Sequence, residues 1–277
     1  MLLDAADFGV PQSRKRLIFV GIHNDLRAEL PPLEGTGATS AVRLHRISNG
    51  SVEYVTSAAN SLLTADVVSA LADPWDLLAV TVEQAVGDLA DLRVGTNRTD
   101  ELPTSILRQP QSAYQKMMRK DVSGSTVSNV GVPRMREDTR LRLNHIPPGG
   151  NYLDLSDELQ DRYLTGERWG QHNGSQRLSR RHYYAYRRLH PEIWSWTINT
   201  KADSVYHWST PRALSVREFG RLQSFPDTFV FTTDPTKGPL PGRISGGPGH
   251  SRYRQAGNAV PPLLARAIAE VLDPLVS

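Results

Sequence analysis

Short apolar runs alternate with long polar stretches along the 277 residues, and their spacing predicts a limited set of elements. An unbroken run from Leu17 to Val20, closed by Gly21, predicts a strand over Leu17–Ile22 covered on both faces. Val, Ile, Tyr and Thr mixed with polar residues over 42–57, around Asn49-Gly50, predict a hairpin. A short helix is expected over Thr64–Leu71, with Pro74 just beyond it. Val82, Ala85, Val86 and Leu89 form one stripe behind a Thr81–Gln84 capping box, predicting a helix over 82–90 whose neighbours Asp88, Asp91 and Arg93 face solvent. Gln109–Arg119 reads as a further helix and 124–133 as loop. The run Arg134, Arg136, Arg140 and Arg142, alternating with acids and leucines, reads as a solvated helix face ended by Pro147-Pro148-Gly149-Gly150. A short helix over 157–164 follows. Ser215 and Glu218 then form a capping box for a helix that turns Phe219 and Leu222 inward and stops at Pro226. On it Arg217 and Arg221, four apart, share one face. After a Gly- and Pro-rich loop over 238–249, residues 253–262 lead into a C-terminal helix with Leu264, Ala267, Ile268 and Val271 as its stripe.

The polar approach to the first strand carries candidate chemistry. Gly9 and Pro11 punctuate a turn, and Arg14 and Arg16, two apart in an extended segment, project to the same side beside Gln12 while Lys15 points away. Two rigid guanidinium forks next to an amide suit a phosphate, a carboxylate or the carbonyl edge of a base. A basic surface of no special purpose is the plainer reading of the same residues. At the other end, Gly257 allows a close backbone approach before the helix that Pro261-Pro262 opens.

Composition narrows the classes. Lys+Arg is 32 against 29 Asp+Glu, a net charge of only +3, so total charge does not announce a polyanion partner. Only five of the 32 are lysines, a bias that a GC-rich genome explains as well as a need for bidentate contacts. Four of the five tryptophans fall between Trp169 and Trp208, interleaved with arginines and tyrosines. Such a mixture supplies phosphate contacts, base-edge hydrogen bonds and stacking surface, and it makes Arg177, Arg180, Arg181, Tyr183 and Arg187 candidates for DNA contact. A small aromatic core with a basic rim is the alternative. Arg212 and Arg217, flanking and opening the basic-faced helix, join the DNA candidates, although most of that helix reads as structural. His172, His182, His190 and His207 have no ligand spacing, so no metal site is expected. The sequence contains no cysteine, which excludes disulfides, thiolate zinc sites and a cysteine nucleophile within these residues. No apolar run approaches the roughly 20 residues of a membrane span and no signal pattern opens the chain, so a soluble, cytoplasmic protein with no membrane partner is expected.

Three stretches in order, QSRKR after a GVP turn, RALSVREFGRLQSFP, and RQAGNAVPPLLARAIA, resemble the C-terminal half of DNA cytosine-5 methyltransferases. Thr81–Leu89 and Asn144–Gly150 extend the resemblance more loosely. Phe8 stands where the family often has Tyr, and Ser215 where it often has Thr. The resemblance implies an α/β fold, the C-terminal part of a class I S-adenosylmethionine-dependent methyltransferase plus a mixed, irregular target-recognition domain. Residues 1–30 would then belong to the catalytic domain, 31–210 to an insertion that includes target recognition, and 211–277 to the segment returning to the catalytic domain. It also implies base flipping on double-stranded DNA, in a restriction-modification setting of bacterial or phage origin. Arg16 would contact the flipped cytosine, Arg14 would support the backbone and catalytic loop, and Gln12 would orient them. Gly257, Asn258, Ala259 and Val260 would lie against the methionine end of S-adenosyl-L-methionine. The family's cofactor loop, Pro-Cys nucleophile and Glu-Asn-Val motif do not occur in these residues. The expectation is therefore a heterodimer, inactive alone, whose N-terminal methyltransferase subunit carries the cofactor loop and catalytic cysteine. The alternatives are a non-catalytic DNA-binding module derived from such an enzyme and, in a transfer-RNA methylating branch, an RNA substrate.

Overall fold

The computed structural model describes residues 1–26, 29–33, 35–36, 39, 42–46, 52–56, 80–93, 100–122, 124, 126–160, 186–232 and 248–276. Strand β1 (Leu2–Asp4) pairs antiparallel with β2 (Lys15–Leu17), setting Leu2 opposite Leu17, Leu3 opposite Arg16 and Asp4 opposite Lys15. Asp4 pins the loop between them: its carboxylate accepts from the amides of Ala6 and Arg14 and from the Ser13 hydroxyl. Gly9 ends the 3-10 turn Ala5–Phe8 in the left-handed region, at φ 76°, where a side chain would be strained. Leu3, Ala5 and Val10 bury against Leu264 of the C-terminal helix, so that helix covers one face of the ribbon. The other face is bare, with Leu2 68%, Leu17 60% and Phe19 86% exposed. The strand expected over Leu17–Ile22, covered on both faces, is corrected accordingly: the strand is Lys15–Leu17, extended by the mutual hydrogen bonds of Met1 and Ile18, and one face of it is exposed.

Strands β3 (Val42–Arg46) and β4 (Val52–Thr56) form the expected antiparallel hairpin; Asn49-Gly50, like the helix expected over 64–71, lies outside the described residues. Helix α1 (Val82–Val86) starts at Thr81, whose hydroxyl accepts from the Gln84 amide while the Gln84 side chain returns to the Thr81 amide. It tightens into a 3-10 turn over Gly87–Leu89. Strand β5 (Glu101–Pro103), helix α2 (Ala113–Arg119) behind a Ser112 cap, and strand β6 (Thr126–Ser128) follow, β5 and β6 pairing antiparallel. Three-residue strands show no alternation to read, so 124–133 had looked like loop alone. Helix α3 (Glu137–His145) also differs from expectation. Arg142, expected in solvent, is buried and donates to the Leu159 carbonyl and the Tyr186 hydroxyl, while Arg188 closes the helix end by donating to the carbonyls of Leu143 and Ile146. Of the helix expected over 157–164 a 3-10 turn, Glu158–Gln160, is described.

Helix α4 (Val216–Leu222) has the predicted Ser215–Glu218 capping box and is buried along its whole length. Phe219 and Leu222 enter a cluster with Val82, Ala85 and Val86 of α1, Tyr114 and Met118 of α2, and Leu189, Ile198 and Val205. Each such large side chain contributes on the order of 1.5–3 kcal/mol by leaving water. Helix α5 (Pro248–Asn258) includes residues expected as a lead-in: Ala256 is buried and Tyr253 donates its hydroxyl to the Leu214 carbonyl, so packing draws them into the helix. Helix α6 (Pro262–Val276) completes the chain. Among the described residues no helix is long and apolar enough to cross a membrane, and no cluster of His, Asp or Glu has the makings of a metal site.

Candidate active site

Gln12, Arg14 and Arg16, the predicted clamp, divide in the structure: the first two are buried and the third is half-buried. Residues 11–13 run beside the segment around Ser195 through a parallel bridge: the Ser13 amide donates to the Ser195 carbonyl at 2.9 Å and the Ser195 amide to the Pro11 carbonyl at 3.0 Å. Thr197 adds its hydroxyl to the Ser13 carbonyl at 2.6 Å. Gln12 is fully buried: its Oε1 accepts from the Ile198 amide at 2.9 Å and its Nε2 donates to the Leu222 carbonyl at 3.1 Å. Arg14, only 4% exposed, donates Nη1 to the Ile198 carbonyl at 3.2 Å and Nη2 to the Gly257 carbonyl at 2.7 Å. Burial, with Arg16 as a second cause, lowers its pKa to about 10. Main-chain carbonyls and amides thus take up the polar groups of Gln12 and Arg14.

Arg16 is different. It sits opposite Leu3 in the ribbon, half-buried, with Nη1 donating to the carbonyl of Lys15 at 2.7 Å. The same-side projection of Arg14 and Arg16 is consistent with the electrostatic effect of one on the other. Next to Arg14, exposed Thr197, Asn199 and Lys201 alternate with buried Ile198 and half-buried Thr200, the pattern of an extended segment with one wet side. The composition of 169–208 had drawn attention to its arginines and aromatics and missed this row. Its signal is the alternation through Trp194-Ser195-Trp196-Thr197-Ile198-Asn199, which says nothing about the distant chain it pairs with.

At the end of α5, Gly257 is buried, Asn258 and Val260 are exposed and Ala259 is half-buried. A Cβ on Gly257 would lie 2.2 Å from the Asn199 carbonyl oxygen and 3.0 Å from the Thr200 Cα, so glycine is what lets the two backbones touch. Gln223 donates to the Ala256 carbonyl at 2.9 Å. Ser224, held at φ 62°, accepts at its hydroxyl from the Leu263 amide at the start of α6.

Two DNA candidates are corrected by burial. Arg212 grips Glu218 with both terminal nitrogens, at 2.7 and 2.9 Å, at 2% exposure. Arg217 donates to the carbonyls of Ser128, Pro226 and Phe229 at 3.0, 3.0 and 2.7 Å and is fully enclosed, which lowers its pKa to about 10. Arg221 on the same face bridges Asp88 and Asp227, so Asp88 too is interior and not the solvated residue expected. Burial opposes the charge of Arg221, and the two carboxylates more than reverse it, raising its pKa. Arg187 is half-buried with its guanidinium 5.3 Å from the Trp196 ring centroid. Arg177, Arg180, Arg181 and Tyr183 lie outside the described residues. A cleft of about 850 Å³ between α1 and α2, lined by Glu83, Gln84, Arg108 and Gln111 among others, shares none of the clamp residues.

Comparison with known proteins places this arrangement. The profile described as C-5 cytosine-specific DNA methylase matches residues 1–273. The type II methyltransferase M.AgeI of Thalassovita gelatinovora is 28% identical over 317 residues, covering 99% of this chain and 65% of its own length. M.DdeI of Desulfomicrobium norvegicum is 28% identical over 280 residues, covering 98% and 52%. The chain thus spans between about half and two-thirds of the length of these curated relatives. A crystal structure of a DNA modification methyltransferase encoded within an E. coli prophage superposes with TM-score 0.53 at 17% identity, covering all of this chain and 59% of that one, a likeness of fold. Matched over residues 1–273, the chain belongs to the C-5 cytosine-specific DNA methylase family.

Proposed function

We propose that the chain is the C-terminal part of a DNA cytosine-5 methyltransferase built on a class I methyltransferase sheet, and that it presents Arg16 to a cytosine rotated out of double-stranded DNA. The observation that carries the reading is the contrast inside the opening stretch. Gln12 and Arg14 are bound by the main chain of Ile198, Leu222 and Gly257, next to the exposed row Thr197, Asn199 and Lys201, while Arg16, two residues further on, stays half-exposed. That row suits the sugar-phosphate backbone, where hydroxyl, amide and ammonium donors fix register without reading sequence. In the family's reaction a thiolate adds to C6 of the base and electron density moves toward O2. A preorganised guanidinium at O2 stabilises that charge as it develops.

S-adenosylmethionine supplies the methyl group when bound. The residues here fit its amino-acid end: Asn258 offers an exposed amide and Val260 an apolar surface on a turn whose backbone Arg14 holds. The nucleophile and the glutamate come, in this reading, from an N-terminal subunit that also carries the cofactor loop. One feature supports this: Leu2, Leu17 and Phe19 leave one face of the ribbon uncovered. The test mixes this chain with a candidate N-terminal subunit, labelled S-adenosylmethionine and duplex DNA. Methyl transfer by the mixture and by neither component alone is expected. DNA binding without transfer at any ratio contradicts the proposal and favours a non-catalytic DNA-binding module.

A further inference from the structure

We propose that Arg14 and Gly257 form a joint that couples the two ligands, so that cofactor at the Gly257–Val260 turn and DNA at the 197–201 row bind cooperatively. The inference rests on the functional reading above and adds to it a role for Arg14, whose terminal nitrogens are taken up by the main chain. The guanidinium of Arg14 is a rigid plane whose two terminal nitrogens are divided between the Ile198 and Gly257 carbonyls. Ile198 lies inside the row proposed for DNA, and Gly257 opens the turn proposed for cofactor. A displacement of either carbonyl strains the bond to the other. The missing Cβ of Gly257 brings that backbone against Asn199 and Thr200, atoms with no rotamer by which to yield. Gln12 fixes the Ile198 amide to the last turn of α4 and Gln223 fixes Ala256 to the same turn, so both sides of the joint share one support.

A ligand that orders one side of such a joint leaves less disorder for the second ligand to remove, which gives positive coupling without a large movement. The coupling is reciprocal, because both affinities refer to one cycle of states.

The experiment titrates the assembled enzyme with S-adenosylhomocysteine by calorimetry, with and without a target duplex, and follows hydrogen exchange of the amides of 195–201. Wild type is expected to bind the cofactor analogue at least about five-fold tighter when DNA is present, within the usual range of such coupling. The Ile198 amide is expected to exchange more slowly when the analogue alone is bound. In R14M each ligand alone should bind within about three-fold of wild type while the ratio falls below about two; R14K should recover part of it. A wild-type ratio of one, or an unchanged ratio in a folded R14M, overturns the proposal. If R14M does not fold, G257A is read by the ratio alone, since it stands in the cofactor turn and forces the two backbones apart from the other side. If neither folds, the exchange measurement on wild type decides, and no slowing at Ile198 overturns the joint. A wild type that binds no S-adenosylhomocysteine at all defeats the functional reading and the coupling with it; binding with a ratio of one defeats the coupling alone.

Discussion

Helix α4 and the β1–β2 ribbon invert each other's chemistry. In α4 three charged residues, Arg217, Glu218 and Arg221, are fully buried and satisfied by carbonyls and opposite charges from elsewhere in the chain. In the ribbon, leucine and phenylalanine face water. One region has found its partners within these residues and the other has not. Net charge and hydropathy would have assigned them the other way round, with the arginine-rich helix outside and the apolar strand inside.

The largest expected effect breaks the α4 side of this contrast. Arg221→Ala removes the bridge between two buried carboxylates, leaving Asp88 to Arg119 and Asp227 to the longer contact with Arg217, and should cost about 3–5 kcal/mol in urea unfolding. Arg217→Ala leaves three carbonyls short of a donor and should cost about 2–4 kcal/mol, while leaving the salt slope of DNA binding unchanged by comparison with a lysine at the surface such as Lys201. A destabilisation below about 0.5 kcal/mol at both positions would mean that the helix is peripheral after all.

A pH titration sharpens the same side. His207 is fully buried; its Nδ1 accepts from the amides of Ser209 and Thr210, and burial, aided by Arg212 and Arg188, pushes its pKa down to about 2. Because the folded value is depressed, the unfolded chain takes up the proton first as pH falls through the ordinary histidine value. Stability present above that value is lost below it, by about 2 kcal/mol between pH 6.5 and 5 from this group alone. His207→Gln should flatten the pH dependence of the urea midpoint in that window.

The smallest effect belongs to the ribbon. Leu17→Ser and Phe19→Ser should change the stability of the isolated chain by less than about 0.5 kcal/mol, since these side chains leave little water-free surface behind. The same changes should weaken capture of the N-terminal subunit in a pull-down. Equal capture by wild type and the double variant would show that the bare face is not where that subunit sits.

What the sequence made legible was local. The capping boxes at Thr81 and Ser215 depend on residues three apart, and those helices begin where they predict, whereas the helix expected from Gln109 begins at Ala113 behind a Ser112 cap. Spacing also put Arg217 and Arg221 on one face, but spacing has no sign: whether that face is wet depends on carbonyls at Ser128 and Phe229 and carboxylates at Asp88 and Asp227, brought by other elements. The site shows the same limit. Gln12, Arg14 and Arg16 were recognisable as a group, whereas the division between two buried braces and one half-exposed guanidinium is made by Ile198, Leu222 and Gly257. Segment 197–201 escaped notice because its pairing with residues 11–13 is nonlocal and consists of a few bonds.

The central claim is that Arg16 is the group this chain brings to the reacting base. Single-turnover methyl transfer by the assembled enzyme with Arg16→Ala, at saturating DNA and cofactor, tests it most directly. The rate should fall about 10²–10³-fold, the loss typical of one charge-stabilising donor, while S-adenosylhomocysteine affinity stays within about three-fold. A rate equal to wild type would contradict the account.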